Sequence, residues 1–319
     1  MRYRRIPILW LSQGSAAASA LPEPKVNLIP RLIVPDADGE LVARTDTTPL
    51  IRWLETEHPG RSVRPGDPVL KMLDALLEDF ADEWLTKAMF HYRWAFDADI
   101  ANAAKLLPRW FAPNKTNEFH AAVGEDFAKR QVSRLGVVGS NPTTAPIIEG
   151  SFLRILQLLD VHLSASRFLL GARPAACDFA FFGQLTQLTR IDPTPAALSH
   201  ATSMRTVAWT DLMDDLSGLE PSADQWSSRD KISPALIALL GEVGRVYAPF
   251  LLGNARALEA GDVEMRCTID GAAWVQKPFP YQGKCLVSLR AEYAALESGD
   301  RARVDEILEG TGCEALFAS

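Results

Sequence analysis

The residues of this chain best placed for chemistry are Asp46, Thr47 and Thr48, which stand immediately before Pro49 and the apolar positions Leu50, Trp53 and Leu54. A hydroxyl can cap a helix there and proline fits a first turn, so the spacing predicts a helix from Thr47 to His58-Pro59-Gly60. Its N-terminus does one of two things. The free N–H groups and positive dipole end receive an anionic group of a ligand beside the Thr47 hydroxyl, or the same residues cap the helix and nothing more.

Other chemistry-bearing residues are scattered. Cys177, Cys267, Cys285 and Cys313 form no Cys-x-x-Cys pair, and no histidine cluster has metal-ligand spacing. Reduced thiols and no metal are therefore expected, as in a cytoplasmic protein. Cys177 beside Asp178 reads as an inert core thiol, because unpaired cysteine is among the most buried residue types. Asp160 and His162 are two apart on a helix and face different ways, so they form no dyad. His58 and His120 read as surface residues, Asp214-Asp215 as a solvated turn, and Ser12 and Ser15 as loop hydroxyls without a catalytic part. His91, Tyr92, Arg93 and Trp94 end a long helix, where Phe90 and Trp94 line either a ligand pocket or the core. No G-x-S-x-G, phosphate-binding or dinucleotide-binding glycine pattern is present, so hydrolase and nucleotide chemistry lack their parts.

The elements that must position these residues follow from periodicity. The 319 residues suggest about two domains. Apolar residues at 47% and charged residues at 23% describe an ordinary globular protein, and a net charge of −7 makes nucleic acid and anionic membranes poor partners. Arg5 to Leu11 alternates as a strand. The first twenty residues also imitate a secretory signal with an Ala-x-Ala-like site at Ala18 to Ala20, but the apolar stretch from Ile6 is six residues and includes Pro7, short of about 7 to 15. Elsewhere no apolar run approaches the ~18 residues of a membrane span. Ser12 to Lys25 reads as loop or poor helix. Leu32–Val34 and Leu41–Ala43 flank Asp36-Ala37-Asp38-Gly39 as a hairpin.

Residues 59–68, rich in proline and glycine, read as a domain linker. Beyond it Val69–Trp94, Glu118–Leu135, Ser151–Ser164 and Asp178–Leu188 carry helical periodicity, which predicts an α-helical bundle. Near the end, Val263–Ile269 and Ala272–Gln276 flank Asp270-Gly271, a strong hairpin signal, before a helix from Tyr281 to Leu296.

Three segments together resemble the glutathione S-transferase family over residues 1 to about 220. Asn27-Leu28-Ile29-Pro30-Arg31-Leu32-Ile33 resembles the segment in which a cis-proline precedes the third strand of a thioredoxin-like sheet. Thr45 to Glu55 is similar to the acidic-hydroxyl pair that opens that module's third helix. Gly171 to Phe179 resembles the capping box of the helical domain, with Ala175 where the family has a hydroxyl, so only the Asp178 half can form. The resemblance implies an α+β two-domain fold: a thioredoxin-like glutathione-binding domain over 1–62, an all-α domain over 69–222, and an extension over 223–319 with a β-hairpin and helices. It implies a homodimer that binds glutathione through Ile29, Pro30, Asp46 and Thr47 and conjugates or reduces a small hydrophobic electrophile. Because the chain opens on what looks like the family's second strand, its first strand and helix, with the thiol-activating residue, are missing. Three accounts of this front end stay open: a non-catalytic binding or scaffolding protein, an enzyme completed by residues upstream of Met1, and a chain cleaved near Leu21.

Overall fold

The computed structural model describes residues 1–12, 15–26 and 28–318. Asn27, the first residue of the proline segment singled out above, lies outside them. The chain is α+β and mostly helical, with two separate two-stranded antiparallel sheets.

After a single helical turn, α1 (Ala16–Ser19), the chain forms β1 (Leu32–Pro35), β2 (Leu41–Arg44) and α2 (Thr47–Glu57). The β1–β2 turn is built by local chemistry. Asp36 Oδ1 accepts from the N–H groups of Asp38 and Glu40, both at 3.0 Å, and Gly39 takes a φ of 85° that a side chain would resist. The strand expected over Arg5–Leu11 does not form. Alternation can mark which side of a segment faces inward, but a strand also needs a neighbour to bond, and among the described residues none pairs with it. Leu9 and Trp10 are accordingly 83% exposed.

The helical body begins with α3 (Pro68–Phe80), capped by Asp67, whose carboxylate accepts from Val69 N–H at 2.9 Å and Leu70 N–H at 3.0 Å. A π-helical turn over Ala81–Leu85 joins it to α4 (Thr86–Ala95), so the periodicity read over 69–94 is one long helix with a widened turn inside. There follow α5 (Asp97–Phe111), α6 (Asn117–Val132), α7 (Ala145–Leu163), α8 (Ala176–Thr186), α9 (Pro193–Thr202) and α10 (Met204–Met213). The segment between α2 and α3 is tied down: Val63 is buried, its carbonyl accepts from Ala176 N–H at 2.8 Å, and Arg173 reaches the Ser62 carbonyl at 2.7 Å.

Residues 223–318 supply α11 (Pro234–Glu242), α12 (Ala248–Ala260), β3 (Met265–Ile269), β4 (Ala272–Gln276), α13 (Pro280–Ala294) and α14 (Ser298–Leu308). The Asp270-Gly271 turn has φ of 50° and 78°, the double positive φ of a primed two-residue turn. This hairpin drives Trp274 into the centre, where its ring lies 5.3 Å from Trp84 and 6.0 Å from Phe250. One continuous core therefore joins α3, α7, α8, α11 and α12 with the hairpin, and α13 and α14 both pack on α3.

Pro234–Ala260, comprising α11, a π turn and α12, runs for 27 residues at a mean hydropathy of 1.6, long and apolar enough by length and composition to cross a membrane. This corrects the expectation that no such stretch exists. Here it is packed as a core helix, with Leu239, Val243, Val246, Phe250 and Leu251 fully buried.

The α5–α6 pair is held by backbone contact. A Cβ on Gly124 would meet the Ala104 carbonyl oxygen at 2.0 Å, and neither helix can yield without moving the other. Gly124→Ala is expected to destabilise the protein by about 1–3 kcal/mol through overpacking. The check is the urea midpoint, and an unshifted midpoint would contradict the close approach.

Candidate functional site

The Ile29–Pro30 peptide is cis. The hairpin that follows ends its pairing at Leu32 with Arg44, so Pro30 lies two residues before that last pair and Asp46 two residues after it. Two of the sequence-predicted binding pairs, Ile29-Pro30 and Asp46-Thr47, thus share one end of the hairpin. Ile29 is 68% exposed and Thr47 is exposed.

Asp46 takes a φ of 77°, and no side chain caps α2. That decides between the two expectations for this motif in one respect: the Asp46 side chain does not serve as the cap. Its carboxylate instead accepts from the Tyr281 hydroxyl on α13 at 2.9 Å. Thr48 turns inward and donates to Glu78 Oε1 at 3.0 Å. The far end of the chain therefore reaches the start of α2, a contact that the sequence reading of residues 223–319 did not foresee.

Beneath α2 lies a row of carboxylates that sequence reasoning missed. Glu78, Asp79, Asp82 and Glu83 follow one another on α3 and its π turn, with the π turn Val243–Tyr247 ahead of α12 and α13 packed against them. Asp79 Oδ2 accepts from Tyr247 Oη at 2.6 Å, and Glu83 Oε2 accepts from Gln282 Nε2 at 3.0 Å. Burial, reinforced by neighbouring carboxylates, pushes Asp79 up to about 7 and Asp82 up to about 8, and raises Glu78 and Glu83. Asp74, one turn earlier and fully buried, is pushed up to about 8 by burial and by Glu78. Near neutral pH Asp74 and Asp82 therefore retain their protons and can donate hydrogen bonds as acids. Among the described residues no group of three His, Cys, Asp or Glu is arranged to hold a metal. The signal was in the sequence, in two adjacent carboxylate pairs four residues apart along an otherwise leucine-rich helix.

The remaining candidates resolve as structure. Cys177 is fully buried, its N–H donates to Asp74 Oδ1 at 2.9 Å, and burial beside two carboxylates raises its thiol well above the ordinary range. Asp178 accepts from Ala175 N–H at 2.8 Å and Leu169 N–H at 2.9 Å, so the carboxylate half of the box stands alone, as expected from Ala175. Arg93 is held by Asp192, 2.8 Å away, and His91 by Ser140 and Glu149. Trp94 is buried in a small core with Ala103, Leu107 and Ala128 against which Phe90 packs, which places this aromatic pair in the core rather than in a pocket. Asp160 bonds Ser203 and Arg205 while His162 is buried against the Phe168 carbonyl, so the two form no dyad. Asp214 and Asp215 lie at an exposed turn, where Asp215 accepts from Ser217 N–H, and Ser15 caps α1. His58 is exposed, but His120 is 2% exposed, a correction to its surface assignment: α5 packs over it, and Nε2 donates to the Ala112 carbonyl at 2.8 Å.

Compared with protein-family models, with curated proteins and with solved structures, the chain matches none.

Proposed function

We propose that this is a glutathione S-transferase-like protein of the cytoplasm, a homodimer whose N-terminal module is an incomplete thioredoxin-like domain and whose helical body is the all-α domain of that fold. The observation that carries the reading is the start of α2, a helix N-terminus with no side-chain cap and an exposed Thr47, directly after the end of the β1–β2 hairpin. A γ-glutamyl peptide suits this end. Its carboxylate takes the free N–H groups at the start of α2 beside the Thr47 hydroxyl, its ammonium takes the Asp46 carboxylate, and its backbone pairs with Ile29 ahead of Pro30. Tyr281 orients Asp46 for that role through the 2.9 Å bond.

Conjugation additionally requires a donor that stabilises the thiolate, because a free thiol ionises near pH 8.5. Among the described residues that donor is missing: Cys177 is buried and Tyr281 is already committed to Asp46. This favours binding, with a scaffolding or carrier role, over turnover of small hydrophobic electrophiles by the chain itself.

Titration calorimetry with glutathione is expected to show saturable binding that weakens roughly tenfold in Thr47→Ala, the loss of one hydrogen bond to a charged group. Unchanged affinity would remove Thr47 from the site, and no binding by the unaltered protein would overturn the reading. A rate of thioether formation with a chlorinated nitrobenzene above background would restore the enzymatic reading.

A further inference from the structure

The β1–β2 hairpin and α2 sit on the helical body with little apolar contact. Among the described residues no apolar side chain of the hairpin joins the body's core, and of α2 only Ile51 packs against it; Leu50 and Leu54 are buried but stay outside that core. Polar ties hold this module down, and they differ between the two ends of α2.

The C-terminal end is anchored. Glu55 accepts from Val63 N–H at 3.0 Å and pairs with Arg4 at 3.1 Å, and Val63 belongs to the body's core. Between α2 and Val63, Gly60 and Arg61 take positive φ of 93° and 46°, so the chain turns sharply there, as a hinge requires. The N-terminal end rests on the carboxylate row. Thr48 donates to Glu78, Asp46 accepts from Tyr281, and Arg52, one turn further on, pairs with Glu292 of α13.

Cations reach only the two ends of that row: Arg52 and Arg64 beside Glu78, with Glu292 near them, and Lys87 of α4 beside Glu83. Asp82 stands among Glu78, Asp79 and Glu83 of its own helix and Asp46 of the module. Asp79 meets Tyr247 and Cys285, and Glu83 meets Gln282, Tyr281 and Asp46. Covered in this way, the acids keep protons, burial pushing Asp79 up to about 7 and Asp82 up to about 8. Lifting the start of α2 brings water to the row and returns these groups toward the ordinary value near ~4. The lifted state therefore binds fewer protons, and its population grows as pH rises through 7 to 8. Each proton lost also adds negative charge near the Asp46 carboxylate.

We propose that residues 32–57 form a flap, hinged at 58–61, whose α2 N-terminus is latched to the body by the protonated carboxylate row and released as the row ionises. The proposal does not rest on the glutathione reading, since the latch needs no ligand.

Hydrogen exchange of the full-length protein without ligand tests it, read as protection factors, which correct for the pH dependence of the intrinsic rate, at pH 5.5 and 8. Once lifted, an 11-residue helix and a two-stranded hairpin are marginal in water, so their amides exchange without unfolding of the body. The α2 and hairpin amides are expected to be at least tenfold less protected than those of α7 and α8, with little dependence on sub-denaturing urea. Their protection should fall at least tenfold from pH 5.5 to 8, and Asp82→Asn should shrink that fall at least threefold. Thr48→Val, which keeps the side-chain shape and removes the Glu78 bond, should speed flap exchange about fivefold at pH 5.5. Flap amides as protected as α7 and α8, protection unchanged between the two pH values, or a fall undiminished in Asp82→Asn would each overturn the proposal.

Discussion

Asp178→Ala is expected to lower the thermal midpoint by roughly 5–15 °C. Asp178 is fully buried, and its two carboxylate oxygens each accept a different backbone N–H, that of Ala175 at the start of α8 and that of Leu169 in the preceding turn. Truncation leaves both donors buried and unpaired at about 1–3 kcal/mol each. Asn is no rescue, because an amide offers one oxygen and turns its NH₂ toward the other donor. Hydrogen exchange provides the local check: the Leu169 and Ala175 amides should lose protection in Asp178→Ala well before the rest of α8. A midpoint within a degree or two of the parent protein would show that water takes over these bonds.

Stability should fall as pH rises from about 5 to 8, and Asp82→Asn should reverse part of that fall. Asp74 and Asp82 are pushed up to about 8, and Asp79 and Asp178 to about 7, by burial first and by neighbouring carboxylates in the first three. In the unfolded chain such groups ionise near pH 4. Between about pH 4 and 8 the folded state therefore holds more protons than the unfolded one. The stability these groups permit is complete below about pH 4 and is lost as pH rises through the folded values. Lys87 is buried and shifted downward, so its contribution runs the other way above about pH 8, while His91 and His162, lowered by burial, offset part of the fall only below about pH 6.5. Asp82 is the informative position, because among the described residues it has no hydrogen bond or ion pair, and the nearest charges are the carboxylates of Glu78, Glu83, Asp79 and Asp46. Asp82→Asn should raise stability at pH 8 by about 2 kcal/mol, a figure discounted for coupling among the acids, and leave pH 5 almost unchanged. A stability that climbs from pH 5 to 8 in the parent protein would refute the account of this acidic row.

The row also bears on function. It underlies the start of α2 through the Thr48–Glu78 bond, and Asp46 faces it from the other side, tied to Tyr281. A π turn widens the helix at this place, a distortion frequent at ligand sites. Deprotonation of these acids above pH 7 adds negative charge next to Asp46, so the proposed occupancy of the α2 terminus by an anionic group would depend on the same protons that set stability.

What could be read from the sequence alone was whatever depends on near neighbours. The Asp36–Gly39 and Asp270-Gly271 turns, the start of α2 at Thr47, the Asp178 half of the capping box and the helical stretches over 69–94 and 151–164 each follow from φ preferences, capping and apolar spacing within a dozen residues. Arg5–Leu11 shows where such reading stops, since its alternation was real but no second strand came to bond it. Burial of the charged residues lay outside local pattern altogether. Glu78 to Glu83 look like a solvated helix face until the π turn carrying Tyr247 and α13 carrying Gln282, some 170 to 200 residues later, close over them, and His120 looks like a surface residue until α5 packs against α6 at Gly124. Periodicity records how a segment would divide between water and core, whereas protonation and solvation depend on which distant segment lies on top, and only the assembled tertiary structure decides that.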